Sequence, residues 1–338
     1  MKLSVASLLL SAAAAAPPTG NFTLCALYVN QTRSSFSYGR LSPSGAVHEL
    51  MQLPGLFAVF DGAAAGAEEG TFYTYAGYGP PPQKSNGILE ANFLKNTTVY
   101  QTIEMPATYP GNFYTPNLAT DWSGADLAIV GTVQGIEGPD DKPTWTALST
   151  VNPATGAATV RRNLTLAEEG YKWEKTGCAA FDSEGQVFYL IAGIGASEAE
   201  TVLGYDSKGS PAIAIPFPST YDAIALQYSV HFKALVALAY LRNSPSATFA
   251  WLVQDKSAPD GWKAAFTWPA DTVYLSGMGE TDIEDAGQIV AAAFTVPDGA
   301  KKERDIIAFV DLVSGTEIQR MNVTQKMVVA DIEFCDAK

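Results

Sequence analysis

The feature that most constrains this chain is a series of short hairpins that recurs about every fifty residues. Segments such as VNPATGAATV, YDSKGSPAIAI and VDLVSGTEIQRM each contain a strand-like run, a turn with glycine and a second strand-like run. The turn glycines follow one another in steps of 53, 52 and 54 residues, at Gly156, Gly209, Gly261 and Gly315. Gly45 belongs to the same series. Asn96 takes the turn position of the member between them, because asparagine tolerates a positive φ almost as glycine does.

A second series of turns is interleaved with the first. Its members precede apolar runs such as TFYTYAG, QVFYLIAG, ALVALAYL and QIVAAAFT. The steps between turn residues are 54, 61, 48 and 54 residues, at Gly70, Gly124, Gly185, Lys233 and Gly287. Two hairpin series with one period predict four strands per unit, which we name A to D in chain order. The apolar runs are the B strands, and together with the run NFTLCALYV they number six.

A four-stranded unit repeated around an axis is the blade of a β-propeller. The sequence therefore predicts an all-β, six-bladed β-propeller of four-stranded antiparallel blades. The first unit begins with its B strand, whereas the last segment, VVADIEFCDAK at 328–338, has the pattern of an A strand with no B strand after it. We therefore expect this C-terminal strand to pair with the N-terminal blade and close the ring, since open blades would expose sheet edges.

The three cysteines fit this closure. Cys25 lies in the first B strand and Cys335 in the closing A strand, so the two are expected on neighbouring antiparallel strands. We predict a Cys25–Cys335 disulfide. Cys178 remains, and we interpret it as a buried thiol that acts as a small apolar side chain.

The turns VNPATG and VDLVSG resemble those of propellers of the quinoprotein and strictosidine-synthase/gluconolactonase kinds. The second resemblance implies an alternative function, a propeller hydrolase of the lactonase or strictosidine-synthase kind with a metal in the channel. Calcium is the metal this alternative would hold. The acidic segment GETDIEDAG at 279–287 has the composition of a calcium loop without the EF-hand spacing, so we favour a solvated A–B turn.

The N-terminus predicts secretion. Lys2 precedes an apolar run from Leu3 to Ala16 that ends in small residues, as in a signal peptide at 1–16 with a cut between about residues 14 and 20. The remainder, 21–338, is expected to be a single propeller domain. Asn-x-Ser/Thr triplets, which are acceptors for N-glycosylation in secreted chains, occur at Asn21, Asn30, Asn96, Asn163 and Asn322.

Charge and histidine content exclude several functions. The net charge is −14, with 21 Lys and Arg against 35 Asp and Glu, so we expect neither nucleic acid nor an anionic membrane surface as a partner. Apart from the N-terminal run, no stretch has eighteen consecutive apolar residues, so we expect no membrane insertion. The two histidines, His48 and His231, fall in an outer D strand and near an A–B turn. A shared metal site between them is not expected, and no metal ligand is assigned. The catalytic residues of any reaction remain unassigned.

The connections from each D strand to the next A strand carry tyrosines and acids, and they lie on the same face as the B–C loops. Aromatic rings with polar handles around a concave mouth are typical of sites for sugars, peptides and flat ligands. We predict such a mouth from Tyr109, Tyr114, Tyr171, Trp173, Tyr221, Asp222, Asp271 and Tyr274. The alternative is that these rings pack between blades. The sequence thus favours a secreted, glycosylated propeller that binds a small molecule, a glycan or an extracellular protein through this mouth.

Overall fold

The computed structural model describes residues 23–30, 35–59, 64–65, 70–79, 85–108, 112–113, 117–120, 127–134, 143–164, 173–182, 184–194, 199–244, 248–269, 281–283, 286–297, 303–323 and 327–335. Their regular secondary structure is β-strand throughout. Within these ranges there is no helix of the length and apolarity needed to cross a membrane.

The described strands form six antiparallel sheets, which we number 1 to 6 in chain order. Sheet 1 contains, in spatial order, β26 (Met327–Phe334), β1 (Leu24–Asn30), β2 (Ser35–Leu41) and β3 (Val47–Leu53). Sheet 2 contains β4 (Leu56–Val59), β6 (Thr71–Tyr78), β7 (Ser85–Asn92) and β8 (Thr97–Thr102), and the short β5 (Ala64–Ala65) also pairs with β6. Sheet 3 contains β10 (Asn117–Thr120), β11 (Leu127–Gln134), β12 (Pro143–Val151) and β13 (Ala158–Leu164), and the short β9 (Asn112–Phe113) also pairs with β11.

The three remaining sheets each have four strands. Sheet 4 contains β14 (Trp173–Asp182), β15 (Val187–Ile194), β16 (Ala199–Asp206) and β17 (Pro211–Pro216). Sheet 5 contains β18 (Tyr221–Ser229), β19 (Ala234–Leu241), β20 (Phe249–Gln254) and β21 (Trp262–Thr267). Sheet 6 contains β22 (Thr281–Ile283), β23 (Ile289–Pro297), β24 (Glu303–Asp311) and β25 (Thr316–Asn322).

This order is that of a β-propeller with four-stranded antiparallel blades, as predicted. Sheets 2 to 6 are five blades, each built from consecutive strands, whereas sheet 1 combines strands from both ends of the described chain. In every sheet the first of the four main strands is the A strand, which faces the channel of a propeller. The fourth is the D strand at the rim; the short β5 and β9 are additional to these four. All A–B and C–D turns therefore lie on one face, opposite the B–C and D–A connections.

The closing strand is where the sequence placed it. β26 pairs antiparallel with β1, with Leu24 opposite Phe334 and Cys25 opposite Glu333. The Cys25–Cys335 disulfide joins the two strands with a Cα–Cα distance of 5.8 Å, and the Cys335 N–H donates to the Thr23 carbonyl at 3.0 Å. The predicted bridge is confirmed, and the described Cys178 is a buried free thiol that donates to the Ile224 carbonyl at 3.0 Å.

The core lies between adjacent sheets, because each sheet buries an apolar face against the next. Trp251 and Val236 of sheet 5, for example, share one fully buried cluster with Ile306 of sheet 6. Leu24 of sheet 1 and Ile307 of sheet 6 share another cluster, so the first and last sheets also pack together. Burying a large apolar side chain stabilises the fold by about 1.5–3 kcal/mol. These contacts, repeated around the molecule, divide one large core into layers between sheets.

The turn chemistry follows the sequence pattern with one correction. The five C–D glycines named above all have positive φ, and Asn96 substitutes for glycine with a φ of 52°. In the A–B series, Gly70, Lys233 and Gly287 also have positive φ. In sheet 4, however, the left-handed residue is Gln186 and not Gly185 as the spacing suggested. Glycine at position 185 has a different role, since a Cβ built there would lie 2.3 Å from Oδ2 of Asp182.

C–D glycines also serve the contacts between blades. A Cβ built on Gly156 would collide with the Thr102 carbonyl oxygen at the end of β8, and one on Gly45 would collide with the Asn322 carbonyl oxygen at the end of β25. Gly261 is different, because a Cβ built there has no atom within 4 Å. Most of these turns therefore rest directly on the D strand of the preceding sheet, whereas Gly261 in the turn at 255–261 has open space at this position.

This contrast gives a matched pair of variants. Gly156 and Gly261 have nearly the same φ, +75° and +72°, so alanine at either position carries the same cost of about 1–2 kcal/mol for a left-handed conformation. Gly156→Ala must also push apart two backbone segments, and we expect it to lose a further 1–3 kcal/mol or so of unfolding free energy. Urea unfolding of both variants measures the difference. Equal losses would contradict the close packing of this turn on β8.

Candidate functional site

The face that carries the predicted mouth is only partly described. Trp173 begins β14 and Tyr221 begins β18, and these A strands of sheets 4 and 5 are neighbours. The structure thus brings Trp173, Tyr221 and Asp222 to equivalent ends of two adjacent strands. For Trp173 the backbone position is described. The other five predicted residues lie outside the described ranges: Tyr109, Tyr114, Tyr171, Asp271 and Tyr274.

Tyr221 is partly packed between two blades and partly exposed to solvent. The side chain is half-buried and packs against the apolar cluster between sheets 4 and 5. Its backbone N–H donates to the Pro218 carbonyl at 3.0 Å, which fixes the turn that leads into β18. Tyr221 therefore contributes to packing between blades, and part of its side chain remains exposed to solvent.

An ionic cluster that sequence reasoning missed holds Asp222. One guanidinium nitrogen of Arg242 lies 3.8 Å from Oε1 of Glu200 and 3.9 Å from Oδ1 of Asp222. The Glu200 side chain is 1% exposed and that of Arg242 13%, whereas that of Asp222 is 44% exposed. Oε2 of Glu200 also accepts a hydrogen bond from the Ala223 N–H at 2.9 Å. The buried Glu200–Arg242 pair thus anchors a carboxylate that remains open to solvent.

Two of the three residues of this cluster lie at the B–C ends of adjacent blades, sheets 4 and 5. Glu200 is the second residue of β16, and Arg242 directly follows β19, so both lie at the mouth face beside the start of β18. The Arg242 N–H donates to the Thr220 carbonyl at 2.8 Å and ties the two chain segments together. Removing one partner of a buried ion pair typically costs about 3–5 kcal/mol. The arrangement can therefore present a fixed negative charge to hydroxyl or ammonium donors of a ligand.

The opposite face holds a second polar cluster, around Asp182. The rings of Tyr189 and Tyr228 are stacked with centroids 6.4 Å apart. Burial, and then the charge of Asp182, raises the pKa of both phenols. Asp182 itself accepts hydrogen bonds from the N–H groups of Glu184 and Gly185 at 3.0 and 2.8 Å. Since the phenols stay protonated and the carboxylate caps the turn, this cluster stabilises the A–B turn of sheet 4.

The residues considered for metal binding are placed apart. His48 is exposed on β3, and His231 is exposed on the A–B turn of sheet 5, where its Nδ1 lies 3.1 Å from Nε2 of Gln288. Asp282 of the acidic segment accepts the Phe334 N–H at 2.6 Å, so it ties sheet 6 to the closing strand. Across the described part of the chain, no group of three or more His, Cys, Asp or Glu side chains is arranged to hold a metal ion.

Three of the five glycosylation triplets can be placed with their side chains, and all three are exposed. Asn163 lies in β13 and Asn322 ends β25, which are D strands at the rim, and Asn96 lies in the C–D turn directly before the D strand β8. Asn30 is the last residue of β1, and Asn21 lies outside the described residues. The rim is therefore accessible where glycans would be added.

Comparison with known proteins agrees with the fold and goes no further. No protein-family model and no curated protein sequence matches the chain. The structure is similar to a chain of a nidogen/laminin complex, with a TM-score of 0.54, 10% identity, and coverage of 94% of this chain and 100% of that one.

Two further solved structures are similar at the same level. A protein from Lactobacillus plantarum matches with a TM-score of 0.50, 14% identity, and coverage of 93% of this chain and 99% of that one. An oligogalacturonate lyase from Vibrio parahaemolyticus matches with a TM-score of 0.49, 6% identity, and coverage of 90% and 87%. At these identities the likeness is one of fold alone, and the fold is that of a β-propeller.

Proposed function

We propose that this protein is a secreted, glycosylated six-bladed β-propeller that binds an extracellular partner through the mouth of its channel. The six sheets are its blades, residues 1–16 are its signal peptide and 21–338 its single domain. The observation that carries the binding role is Asp222, a solvent-open carboxylate held by the buried Arg242–Glu200 pair at the start of an inner strand. A buried ion pair contributes little net free energy to folding, because the desolvation of both charges offsets their attraction. A pair beside Asp222 therefore fits a role in orienting that charge toward a ligand.

The extracellular setting rests on two kinds of support. The described asparagines of three glycosylation triplets are exposed at the rim, at Asn96, Asn163 and Asn322. The ring is joined by a disulfide that spans 310 residues, a type of bond that persists in oxidising compartments. With the apolar N-terminal run, these features fit a chain that enters the secretory pathway.

The ligand class follows from the chemistry of the mouth. Asp222 accepts hydrogen bonds and attracts cations, and the tyrosines and Trp173 supply flat apolar surface with polar edges. Sugars and peptide segments carry hydroxyl or amine donors beside apolar faces, and small molecules of similar make-up would also fit. A chain with the same fold is part of a nidogen/laminin complex, so this fold occurs within a protein–protein assembly.

Replacing Asp222 tests the proposal. The mature protein from eukaryotic cells would be screened against arrays of glycans and extracellular proteins, and each hit measured again with Asp222→Ala. We expect affinity to fall about tenfold or more, because a hydrogen bond to a charged group contributes roughly 1.5–3 kcal/mol. The melting temperature should change little, since Arg242 keeps Glu200 as its buried partner.

The matched control is Asp260→Ala, an exposed aspartate in the C–D turn of sheet 5 on the opposite face. It removes one negative charge from the same blade without touching the mouth, so it should leave binding unchanged. If the screen returned no binder, or if every binder tolerated Asp222→Ala as well as Asp260→Ala, the mouth would not be the binding site.

A further inference from the structure

A groove lies between sheets 5 and 6 on the face opposite the mouth. It encloses about 730 Å³, within the size range of ligand sites. Its walls come from the A–B turn of sheet 5, the C–D turn and outer strand β21 of the same sheet, and the C–D turn of sheet 6. The close approach of Gly315 to the Ala265 carbonyl joins the two sheets beneath it, where an added Cβ would lie 2.7 Å from that oxygen.

The lining combines an apolar surface with three lysines. Phe232, Val253, Leu312 and Val313 provide the apolar part, and Val313 is 58% exposed. The ammonium groups belong to Lys233, Lys256 and Lys263. Three of the 21 basic residues of a chain with net charge −14 thus line one groove.

Two carboxylates near the groove offset part of the positive charge of these lysines. Nζ of Lys233 pairs with Glu184 at 3.1 Å, but the two side chains are 70% and 60% exposed, and such surface pairs are weak. Asp255 also lines the groove. Its carboxylate accepts hydrogen bonds from the hydroxyl and N–H of Ser257 at 2.6 and 2.8 Å, and these bonds, together with the nearby charge of Lys263, lower the pKa of Asp255. Asp255 is therefore ionised beside Lys263, which leaves Lys256 as the lysine without such an offset in the lining.

Two backbone features belong to this region, and sheet 4 shares the second, with Gln186 at a φ of 56°. A Cβ built on Gly261 in the C–D turn at 255–261 has no atom within 4 Å, so this turn leaves open space where the equivalent turns touch the next sheet. Lys233 has a φ of 49°, at a turn position where sheets 2 and 6 use glycine. A left-handed backbone is less favourable for lysine than for glycine, so replacing Lys233 by glycine removes the cation without adding backbone strain.

We propose that this groove binds an acidic peptide segment of a partner protein, with an apolar side chain on the floor and carboxylates facing the three lysines. The charge complementarity of the lysines with an acidic segment supports this occupant. An extended peptide would run along Lys263 and Ala264 of β21, the last strand of its sheet, while the Ala265 carbonyl stays packed against Gly315. Between Asn163 and Asn322 the sequence contains no glycosylation triplet, which leaves the rims of sheets 4 and 5 free of predicted glycans.

Fluorescence anisotropy with the full mature protein tests this inference. The probe is a fluorescein-labelled hexapeptide, Glu-Leu-Glu-Val-Glu-Leu, and the comparison peptide replaces each Glu with Lys. We expect saturable binding of the acidic peptide alone, weakened at least about tenfold by Lys256→Glu combined with Lys263→Glu, because charge reversal turns attraction into repulsion. Lys208→Glu, an exposed lysine on the C–D turn of sheet 4, is the control and should change affinity less than about twofold.

A second pair of variants separates binding from folding. Lys233→Gly and Gln186→Gly both replace a left-handed residue by glycine at the A–B turn of adjacent sheets, with original φ values of 49° and 56°. Both should keep or raise the melting temperature, but only Lys233→Gly should weaken the acidic peptide, by about threefold or more.

Three results would overturn the proposal. The first is equal binding of the acidic and basic peptides, and the second is equal loss for Lys208→Glu and the groove variants. The third is displacement of the peptide by N-acetylglutamate at the concentration at which unlabelled peptide displaces it, which would indicate a site for small anions. Because this groove and the mouth lie on opposite faces, failure here leaves the Asp222 experiment unaffected.

Discussion

Deleting residues 328–338 is expected to abolish soluble secretion, with a fall of at least about tenfold in the protein recovered from the medium. The deletion removes nearly all of β26, so β1 loses one of its two neighbouring strands. The backbone N–H and C=O groups on that side of β1 then become exposed. It also removes Ile332, which is 2% exposed, from the apolar layer between sheets 1 and 6. An immunoblot of medium and cell pellet measures the partition.

Two controls assign the loss to strand closure. Deleting residues 336–338 removes the segment after Cys335 and should leave secretion at the level of the full chain. The double variant Cys25→Ser/Cys335→Ser keeps β26 but loses the bridge, which spans 310 residues. The chain-entropy estimate for such a loop is an upper figure of about 5–6 kcal/mol, so this variant should be less stable yet still folded at low temperature. Normal secretion of the 328–338 deletion would contradict closure by the C-terminal strand.

The second large effect concerns Glu333, the residue opposite Cys25 in the closing strand. The Tyr38 hydroxyl donates to Oε1 of Glu333. Tyr38 is fully buried, with its ring stacked on Phe72 at 4.2 Å and on Phe93 at 5.5 Å. Although Glu333 as a whole keeps some exposed surface, its carboxyl group is enclosed, and burial raises its pKa from 4.5 to about 7.

A folded-state pKa above the unfolded value makes the protein less stable as the pH rises. This contribution to stability is complete below pH 4.5 and is lost as the pH rises to about 7 and above. Glu333→Gln stays neutral at every pH, so it should match the natural protein near pH 4.5. At pH 8 it should exceed the natural protein by up to about 3 kcal/mol, because each pKa unit corresponds to about 1.4 kcal/mol. Urea unfolding at pH 4.5, 6 and 8 measures this difference.

Tyr38→Phe is the matched variant, since it removes the hydroxyl that donates to the charged carboxylate. Tyr38→Phe should destabilise the protein more at pH 8 than at pH 4.5. Glu333→Gln should instead stabilise it at pH 8 and leave it unchanged near pH 4.5. If the stability difference between Glu333→Gln and the natural protein were the same at both pH values, folding would not shift the pKa of Glu333 and the burial argument would be wrong.

The fold was accessible from sequence because its determinants are local and repeated. A C–D turn needs a residue that tolerates positive φ, so Asn96 aligns with the glycines on residue type and spacing alone, and its φ is 52°. Spacing was less reliable where a glycine has a different purpose. Gly185 looked like the turn residue, but it is small because the Asp182 carboxylate packs against it, and Gln186 takes the left-handed conformation.

The candidate sites were less accessible, because they depend on contacts between distant segments. Asp222 was predicted from its connection, but its anchor was not, since Glu200 and Arg242 lie in different blades and no local pattern joins them. A signal did exist, in the arginine that directly follows the apolar run ALVALAYL. The lysines of the groove come from two different turns and the last strand of sheet 5, and the packing of sheet 6 beside them completes the groove.

Peptide mapping of the secreted protein without reductant tests the central claim most directly. Mass spectrometry of the digested protein reports the mature N-terminus, the cysteine linkage and the occupied asparagines together. The account predicts an N-terminus between about residues 14 and 20, a Cys25–Cys335 cross-link with Cys178 free, and glycans on Asn96, Asn163 and Asn322. A chain retained in the cell with Met1 intact and no glycan, or a Cys335 that is free or linked to Cys178, would contradict a secreted propeller closed by its last strand.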